Sequence, residues 1–353
     1  MIWILIERIT SMKKVILFVF FYTVGIATAI TVSAQQKPHY TQYIQNQYII
    51  NPALSGIENY IDFKVSHRHQ WAGIADAPVT TYLSIHAPIG KSDYRQTATS
   101  FDLKGENPRG KRYWEEYIAS EAHHGIGLQV INDVTGPLSN FSAYGTYAYH
   151  LGISSRTSIS AGLGVGVNRI NLNTAKLDFG DIIVDPAVFS SGILDNTRFD
   201  INTGVYLYSA NYFIGVSAQQ VIPQKIDFSD GYIRPTTAKT VPHLFLTAGY
   251  RLLISDALNL IPSVMVKYVN PVPTQVEGNL KLLFLDKLWL GASYRHLDGF
   301  AGMLGLNVSN TFNLGYSYDY TTSRLNNFSK GTHEIILGFI LGGYPDNCPK
   351  ALW

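Results

Sequence analysis

Two pairs of histidines are the side chains in this sequence best suited to binding a metal ion. His67 and His69 lie two positions apart, and His123 and His124 are adjacent. A zinc site needs at least three protein ligands, and a catalytic site also keeps an open coordination position. Neither pair has a third ligand at a suitable spacing, so we predict no metal site and no other cofactor.

Three aspartates offer oxygen ligands of the kind that calcium prefers. Asp178, Asp181 and Asp185 lie close together in the chain. An EF-hand loop places its ligands at regular alternate positions and ends on a bidentate glutamate. These aspartates do not follow that spacing, which favours a solvated acidic loop over a calcium site.

Catalytic signatures are missing from the sequence. No serine occupies a Gly-x-Ser-x-Gly elbow, and no His-Glu-x-x-His sequence occurs. The run Gly-Leu-Gly-Val-Gly at 162–166 lacks the lysine that a phosphate-binding loop requires. Ser84 and His86 are separated as the alternation of a strand would place any such pair. We therefore predict no catalytic residues and expect that the protein is not an enzyme.

The composition indicates a surface that does not face water alone. Charged residues make up 15% of the chain, whereas a soluble domain carries about 25%. The net charge is +2 and no basic run is longer than a pair, which argues against a nucleic-acid partner because phosphate binding needs clustered basic residues. The single cysteine, Cys348, excludes an internal disulfide.

The N-terminal segment has the pattern of a secretory signal peptide. Lys13 and Lys14 precede an apolar run at 15–32, and small residues follow up to Ala34. A basic start, an apolar middle and a small-residue cleavage site define such a signal. A membrane anchor is the rival reading, but it needs about 20 apolar residues. We predict cleavage after Ala34 and translation from Met12.

The rest of the chain alternates apolar residues with small or polar ones. From 311 to 320, Phe312, Leu314 and three tyrosines alternate with Thr, Asn, Gly, Ser and Asp. From 158 to 168, Ile159, Leu163 and other apolar residues alternate with serines, glycines and an asparagine. A membrane strand has this pattern, with apolar residues toward lipid and polar ones toward the lumen. An exported chain without another hydrophobic helix can span a membrane only as a closed barrel.

Fourteen segments repeat this pattern, so we predict an all-β fold: a transmembrane antiparallel β-barrel of about 14 strands. The strands are predicted at 59–68, 79–88, 122–132, 139–151, 156–169, 198–208, 212–221, 240–253, 258–269, 274–285, 287–297, 300–308, 311–320 and 333–342. The predicted domains are a signal peptide at 1–34, an N-terminal periplasmic or lumen segment at 35–58, the barrel at 59–342 and a C-terminal tail at 343–353.

Connection lengths support this arrangement with one exception. With the N-terminus in the periplasm, short turns should follow even-numbered strands, and longer loops can follow odd-numbered ones. The stretch from Gly90 to Glu121 follows the second strand and is long. Either the first two strands are misplaced, or this insertion contacts a periplasmic partner or folds into the lumen.

Five short motifs occur in an order that resembles a known family. They are Tyr-Thr-Gln-Tyr at 40–43, Asn-Pro-Ala-Leu-Ser-Gly at 51–56, Arg-His-Gln-Trp-Ala-Gly at 68–73, Thr-Thr-Tyr-Leu-Ser-Ile-His-Ala-Pro at 80–88 and Gly-Thr-His-Glu-Ile at 331–335. The chain resembles the PorP/SprF outer-membrane proteins of Bacteroidetes, which are associated with type IX secretion and gliding motility. It departs from their pattern at Ile74, where an aromatic residue is expected, and at Ala75 or Asp76, where a glycine is expected.

The resemblance implies a barrel in the cell outer membrane that helps an exported adhesin or C-terminally tagged surface protein reach or stay on the cell surface. Its partners would be that cargo, type IX secretion or envelope machinery, and outer-membrane lipid. A passive channel or hydrophobic-solute transporter is the alternative function.

Six residues are candidates for partner binding: Asn51, Pro52, Arg68, Gln70, Trp71 and Pro78. Asn51-Pro52 is most simply a turn before the first strand, while the Gln and Tyr residues at 40–48 would plug the lumen or dock on a partner. Trp71 is either a tryptophan of the membrane interface or, with Arg68, part of a binding hot spot.

Overall fold

The computed structural model describes residues 40–91, 117–176, 193–226, 238–255, 257–285, 287–309 and 311–342. The predicted signal peptide and C-terminal tail lie outside the described residues. So do most of the Gly90 to Glu121 insertion, the three aspartates Asp178, Asp181 and Asp185, and Cys348.

Antiparallel strands make up most of the described chain. They are β1 (Ile61–His69), β2 (Val79–Ile89), β3 (His123–Thr135), β4 (Leu138–Ser154), β5 (Thr157–Asn173), β6 (Ile193–Tyr208), β7 (Tyr212–Gln219), β8 (Lys225–Ile226), β9 (Ala238–Lys239), β10 (His243–Tyr250), β11 (Leu252–Ser255), β12 (Leu258–Val269), β13 (Val272–Phe284), β14 (Leu288–Arg295), β15 (Gly299–Asn307), β16 (Phe312–Thr321) and β17 (Thr332–Leu341).

The strands close into a barrel. Each main strand pairs with its neighbours in the chain, and β1 pairs with β17 from Ile61↔Leu341 to His69↔His333. β10 and β11 both pair with β12 and form one barrel strand interrupted at Arg251. β8 and β9 form a separate two-stranded sheet. Fifteen strand segments with two of them joined give 14 barrel strands, which confirms the predicted fold.

The predicted alternation is also confirmed. On β5, Leu163, Val165 and Val167 are 40–47% exposed on the outer face, while Ser160 and Asn168 are buried on the inner face. An outer face of this kind suits the acyl chains of a bilayer, and an inner face lined by polar side chains suits a lumen. Among the described residues, no helix is long and apolar enough to cross a membrane.

The two ends of the barrel differ in their connections. What we call the loop end carries the connections at 70–78, 136–137, 174–192, 220–242, 270–271, 296–298 and 322–331. What we call the turn end carries those at 90–122, 155–156, 209–211, 256–257, 285–287 and 308–311. β1 and β2 lie where the sequence predicts them, so misplaced strands do not explain the insertion, whose flanking strands β2 and β3 end and begin at the turn end.

Replacing Leu163 with arginine should destabilise the barrel in a bilayer. Leu163 is near the middle of the outward-facing row of β5 and is 47% exposed. A charged residue at the bilayer midplane costs about 2 to 4 kcal/mol. Urea unfolding in lipid vesicles should show this loss for Leu163→Arg and little change for the control, Leu163→Met. An unchanged unfolding midpoint for Leu163→Arg would mean that this face does not contact lipid.

Candidate functional site

The lumen of the barrel contains a chain segment that we call the plug, residues 40–60. Every residue of the plug is buried except Gln45 and Asn59. It folds into three short 3-10 helices, Thr41–Ile44, Gln47–Ile49 and Pro52–Leu54. Buried apolar residues of the plug, such as Tyr48 and Leu54, form a hydrophobic cluster with Tyr206 and Phe213 of the wall. The apolar core therefore lies inside the barrel, between plug and wall.

The third of these helices begins at a sequence feature that favours it. The Asn51 side chain accepts a hydrogen bond from the Ala53 amide at 2.9 Å, which caps the helix. Pro52 occupies the first helical position, where its missing N–H is not needed. Asn51 and Pro52 thus start a 3-10 helix inside the lumen.

Side chains of the wall provide hydrogen bonds for the plug backbone. Ser160 donates to the Ala53 carbonyl at 2.7 Å, and Ser217 donates to the Ile50 carbonyl at 2.7 Å. Gln219 donates to the Ile49 carbonyl at 3.0 Å. A buried carbonyl without a partner costs free energy, so the polar inner residues of β5 and β7 compensate for the absence of a strand partner in the plug.

Three buried histidines surround the plug at the turn end. His150 Nε2 lies 2.8 Å from the Ser55 carbonyl, and His123 Nε2 lies 3.2 Å from the Gly56 carbonyl. His86 Nδ1 accepts from the Gly56 amide at 3.2 Å. In the part of the chain that the structure describes, no group of three potential metal ligands is present. The histidines that the sequence singled out do not come together. His123 is buried beside the plug, whereas His67 and His69 lie on the outer face.

Glycines on the inner face let the plug come close to the wall. A Cβ at Gly162 would lie 2.4 Å from the Ala53 nitrogen, and one at Gly204 would lie 2.1 Å from Asn51 Oδ1. A Cβ at Gly125 would lie 1.8 Å from the Ser55 carbonyl oxygen. Gly162 of β5, Gly204 of β6 and Gly125 of β3 therefore allow the close approach of another segment of chain, as expected of glycines inside strands.

A cluster of charges, all buried except the half-buried Asp298, lies toward the loop end of the lumen. Arg68 binds Asp319 at 2.8 Å and Glu334 at 3.1 Å. Arg295 binds Glu277 at 2.9 Å and Asp298 at 2.7 Å. We call these six residues the charged cluster. Burial makes such pairs strongly dependent on one another, because removing one partner leaves an uncompensated charge.

Thr41 connects the start of the plug to this cluster. Its main-chain N–H donates to Glu334 Oε2 at 2.9 Å. Its hydroxyl donates to Asp319 Oδ2 and accepts from Arg68 Nη1, the latter at 2.8 Å. The plug is therefore anchored at both ends of the lumen, by Thr41 toward the loop end and by Ser55-Gly56 at the turn end.

A pocket opens beside the charged cluster, and we call it the loop-end pocket. Three of the predicted partner-binding residues line it: Arg68, Gln70 and Trp71. The rest of its lining includes Arg295, Asp298, Phe300, Asp319, Tyr320 and Thr332. The Trp71 amide donates to the Thr332 hydroxyl at 3.1 Å, which links the β1–β2 connection to β17.

The other candidate residues lie elsewhere. The Pro78 carbonyl accepts from the Gln70 amide at 2.9 Å, which closes the β1–β2 connection. Asn51 and Pro52 are buried in the plug. Partner binding by all six candidates stays a prediction.

Sequence reasoning missed the residues that pair with Arg68, namely Asp319 and Glu334. The only signal was an acidic residue at an inward position of a strand.

Ser84 and His86, which the sequence places on the same face of a strand, both contact the plug. Ser84 accepts a hydrogen bond from the Asn46 side chain at 2.7 Å, and His86 accepts one from the Gly56 amide.

Solved structures of outer-membrane proteins share part of this architecture at low sequence identity. The toluene transporter TbuX of Ralstonia pickettii has 10% identity and a TM-score of 0.47, over 82% of this chain and 92% of that one. Omp33 of Acinetobacter baumannii has 8% identity and a TM-score of 0.44, over 81% and 100%. The toluene transporter TodX of Pseudomonas putida has 11% identity and a TM-score of 0.44, over 92% and 96%.

No protein with a curated description matches the sequence. A family model, described as type IX secretion system membrane protein PorP/SprF, matches residues 32–339. That span includes the plug and nearly the whole barrel, and the closed barrel is the form that an outer-membrane protein takes. The chain is an outer-membrane protein and belongs to the PorP/SprF family of the type IX secretion system.

Proposed function

We propose that this barrel binds an exported surface protein at its loop end and thereby supports type IX secretion and surface attachment of that cargo, an adhesin or a C-terminally tagged protein, with a link to gliding motility. One observation carries the proposal. A pocket lined by Arg68, Gln70 and Trp71 lies at the loop end, while the plug occupies the lumen beneath it.

The orientation of the barrel supports this role. In bacterial outer-membrane barrels the short turns face the periplasm and the longer loops face the exterior. The loop-end pocket would then face the cell surface, where exported cargo is found. The turn end, with the insertion from Gly90 to Glu121, would face the envelope machinery.

The residue types at the pocket suit a protein partner. Tryptophan and arginine are enriched in the few residues that dominate the binding energy of protein interfaces. Arg68 is 2% exposed and held by two carboxylates, so its position is fixed before a partner arrives. Gln70 and Trp71 are half-buried in the connection above it.

Deleting the protein should release a specific surface protein into the medium or trap it inside the cell. Trp71→Ala should weaken retention as well, because loss of a hot-spot side chain costs about 2 kcal/mol or more, which corresponds to roughly 30-fold in affinity. Immunoblots of cell-surface and medium fractions measure this in the native bacterium.

Asp76→Ala is the matched control for this variant. Asp76 lies in the same connection, and both residues have positive φ, 55° for Asp76 and 50° for Trp71, so the backbone effect is similar. Asp76 is not among the residues that line the loop-end pocket. Retention of every surface protein in the deletion strain would refute the proposed function.

The plug favours this function over a passive channel. We expect the intact protein to show few conductance steps in planar bilayers, and a variant lacking residues 40–57 to conduct readily. Gly162→Leu should also raise conductance, because even a Cβ at this position would lie 2.4 Å from the Ala53 nitrogen.

Gly278→Leu is the control for Gly162→Leu, since a Cβ at Gly278 would meet nothing within 4 Å. It should behave like the unmodified protein. Large, stable conductance from the intact barrel, equal to that of the variant without the plug, would favour the channel instead.

A further inference from the structure

We propose that the loop-end pocket accepts a basic side chain, lysine or arginine, of the exported partner. This inference rests on the proposed function and specifies the chemistry of the cargo segment that the barrel recognises. Three features carry it: the charge balance of the charged cluster, two buried polar atoms without hydrogen-bond partners among the described residues, and Trp71 at the pocket.

The charged cluster contains more negative than positive groups. Arg68 and Arg295 are its two guanidinium groups, and four carboxylates surround them. The carboxylates belong to Glu277, Asp298, Asp319 and Glu334. In a partly desolvated site, opposite charges attract more strongly than in water, so a further cation entering this pocket would be bound favourably.

Asp319 offers this cation a specific acceptor. Its Oδ2 atom is used by Thr41 and Arg68. Its Oδ1 atom is buried and has no hydrogen-bond partner among the described residues, and the whole residue is 8% exposed. Asp319 also lines the loop-end pocket. Buried polar atoms are normally hydrogen-bonded, and one that is not needs an explanation; a lysine or arginine from outside would supply the missing donor.

Arg68 offers an unpaired hydrogen-bond donor beside this acceptor. Its Nε atom is buried and donates to no acceptor in the part of the chain that the structure describes, while its two terminal nitrogens bind Thr41, Asp319 and Glu334. A free cation would satisfy Asp319 but leave this donor unused. A peptide residue offers a basic side chain to the Asp319 carboxylate and a main-chain carbonyl to the Arg68 Nε–H. A protein segment therefore satisfies both atoms, which a small cation cannot do.

Trp71 adds to the preference for a cation. It lies in the β1–β2 connection and lines the pocket. The face of an indole ring attracts a guanidinium or ammonium group. The same side chain would contribute apolar contact with the aliphatic part of lysine or arginine.

The test uses the purified full-length barrel in detergent and three blocked amino acids as probes. These are N-acetyl-arginine methylamide, N-acetyl-norleucine methylamide and N-acetyl-glutamate methylamide. Isothermal titration calorimetry should show binding of the arginine probe at least about 10-fold tighter than of the other two, since only arginine offers a charge-assisted hydrogen bond to Asp319. Equal binding of the three probes would overturn the proposal.

Asp319→Asn should remove this preference, and Asp298→Asn should reduce it. Asp195→Asn is the control, because Asp195 pairs with Arg169 on the outside of the barrel and does not line the pocket. Heat-modifiable migration on gels checks that each variant is folded. If Asp319→Asn does not fold, Asp298→Asn decides, and an unchanged preference for the arginine probe in a folded variant at either position would overturn the proposal.

Lys37 of the same chain precedes the plug by three residues, so the test includes the Lys37→Gln variant. If the arginine probe binds to this variant but not to the unmodified protein, the pocket belongs to Lys37 and the proposal is overturned. Cargo retention separates this inference from the proposed function. If Asp319→Asn loses probe binding but retains cargo, only the basic-residue inference fails; if the deletion strain retains cargo, the proposed function fails.

Discussion

A polypeptide segment inside a closed barrel must obtain from the barrel wall the backbone hydrogen bonds that its own turns do not supply. The plug has no strand partner among the described residues, and almost all of it is buried. Its short helices satisfy part of its backbone, and other carbonyls and amides are met by Ser160, Ser217, Gln219 and the three histidines at the turn end. This requirement explains why the inner face is polar and also why glycines occur where the plug touches the wall. Lumen and plug are therefore one folded unit, and the polar lining is a packing surface rather than the wall of an open passage.

The loop-end pocket shares residues with the anchor of the plug. Arg68 and Asp319 hold Thr41 at the start of the plug and also line the pocket. A molecule bound in the pocket would therefore contact residues that fix the position of the plug. Thr41 gives the barrel a direct structural connection between its loop end and its lumen.

The periodicity of single strands was enough to predict the barrel, because each membrane strand carries its own alternating pattern. Strand positions such as 258–269 coincide with the observed β12. The contacts of the plug were not predictable in this way. Arg68, Asp319 and Glu334 come together only because β1 pairs with β17 across the closure of the barrel, and single-strand periodicity contains no information about which distant strands become neighbours. The inward glycines were visible in the sequence, but the turn that packs against them, Asn51-Pro52, carried no mark of its place in the lumen.

Hydrogen–deuterium exchange of the full-length protein in lipid nanodiscs tests most directly whether plug and barrel are one unit. The account predicts that amides of the plug exchange as slowly as those of the flanking strands β1 and β2. Exchange of the plug at the rate of an unstructured peptide, with the strands still protected, would contradict it.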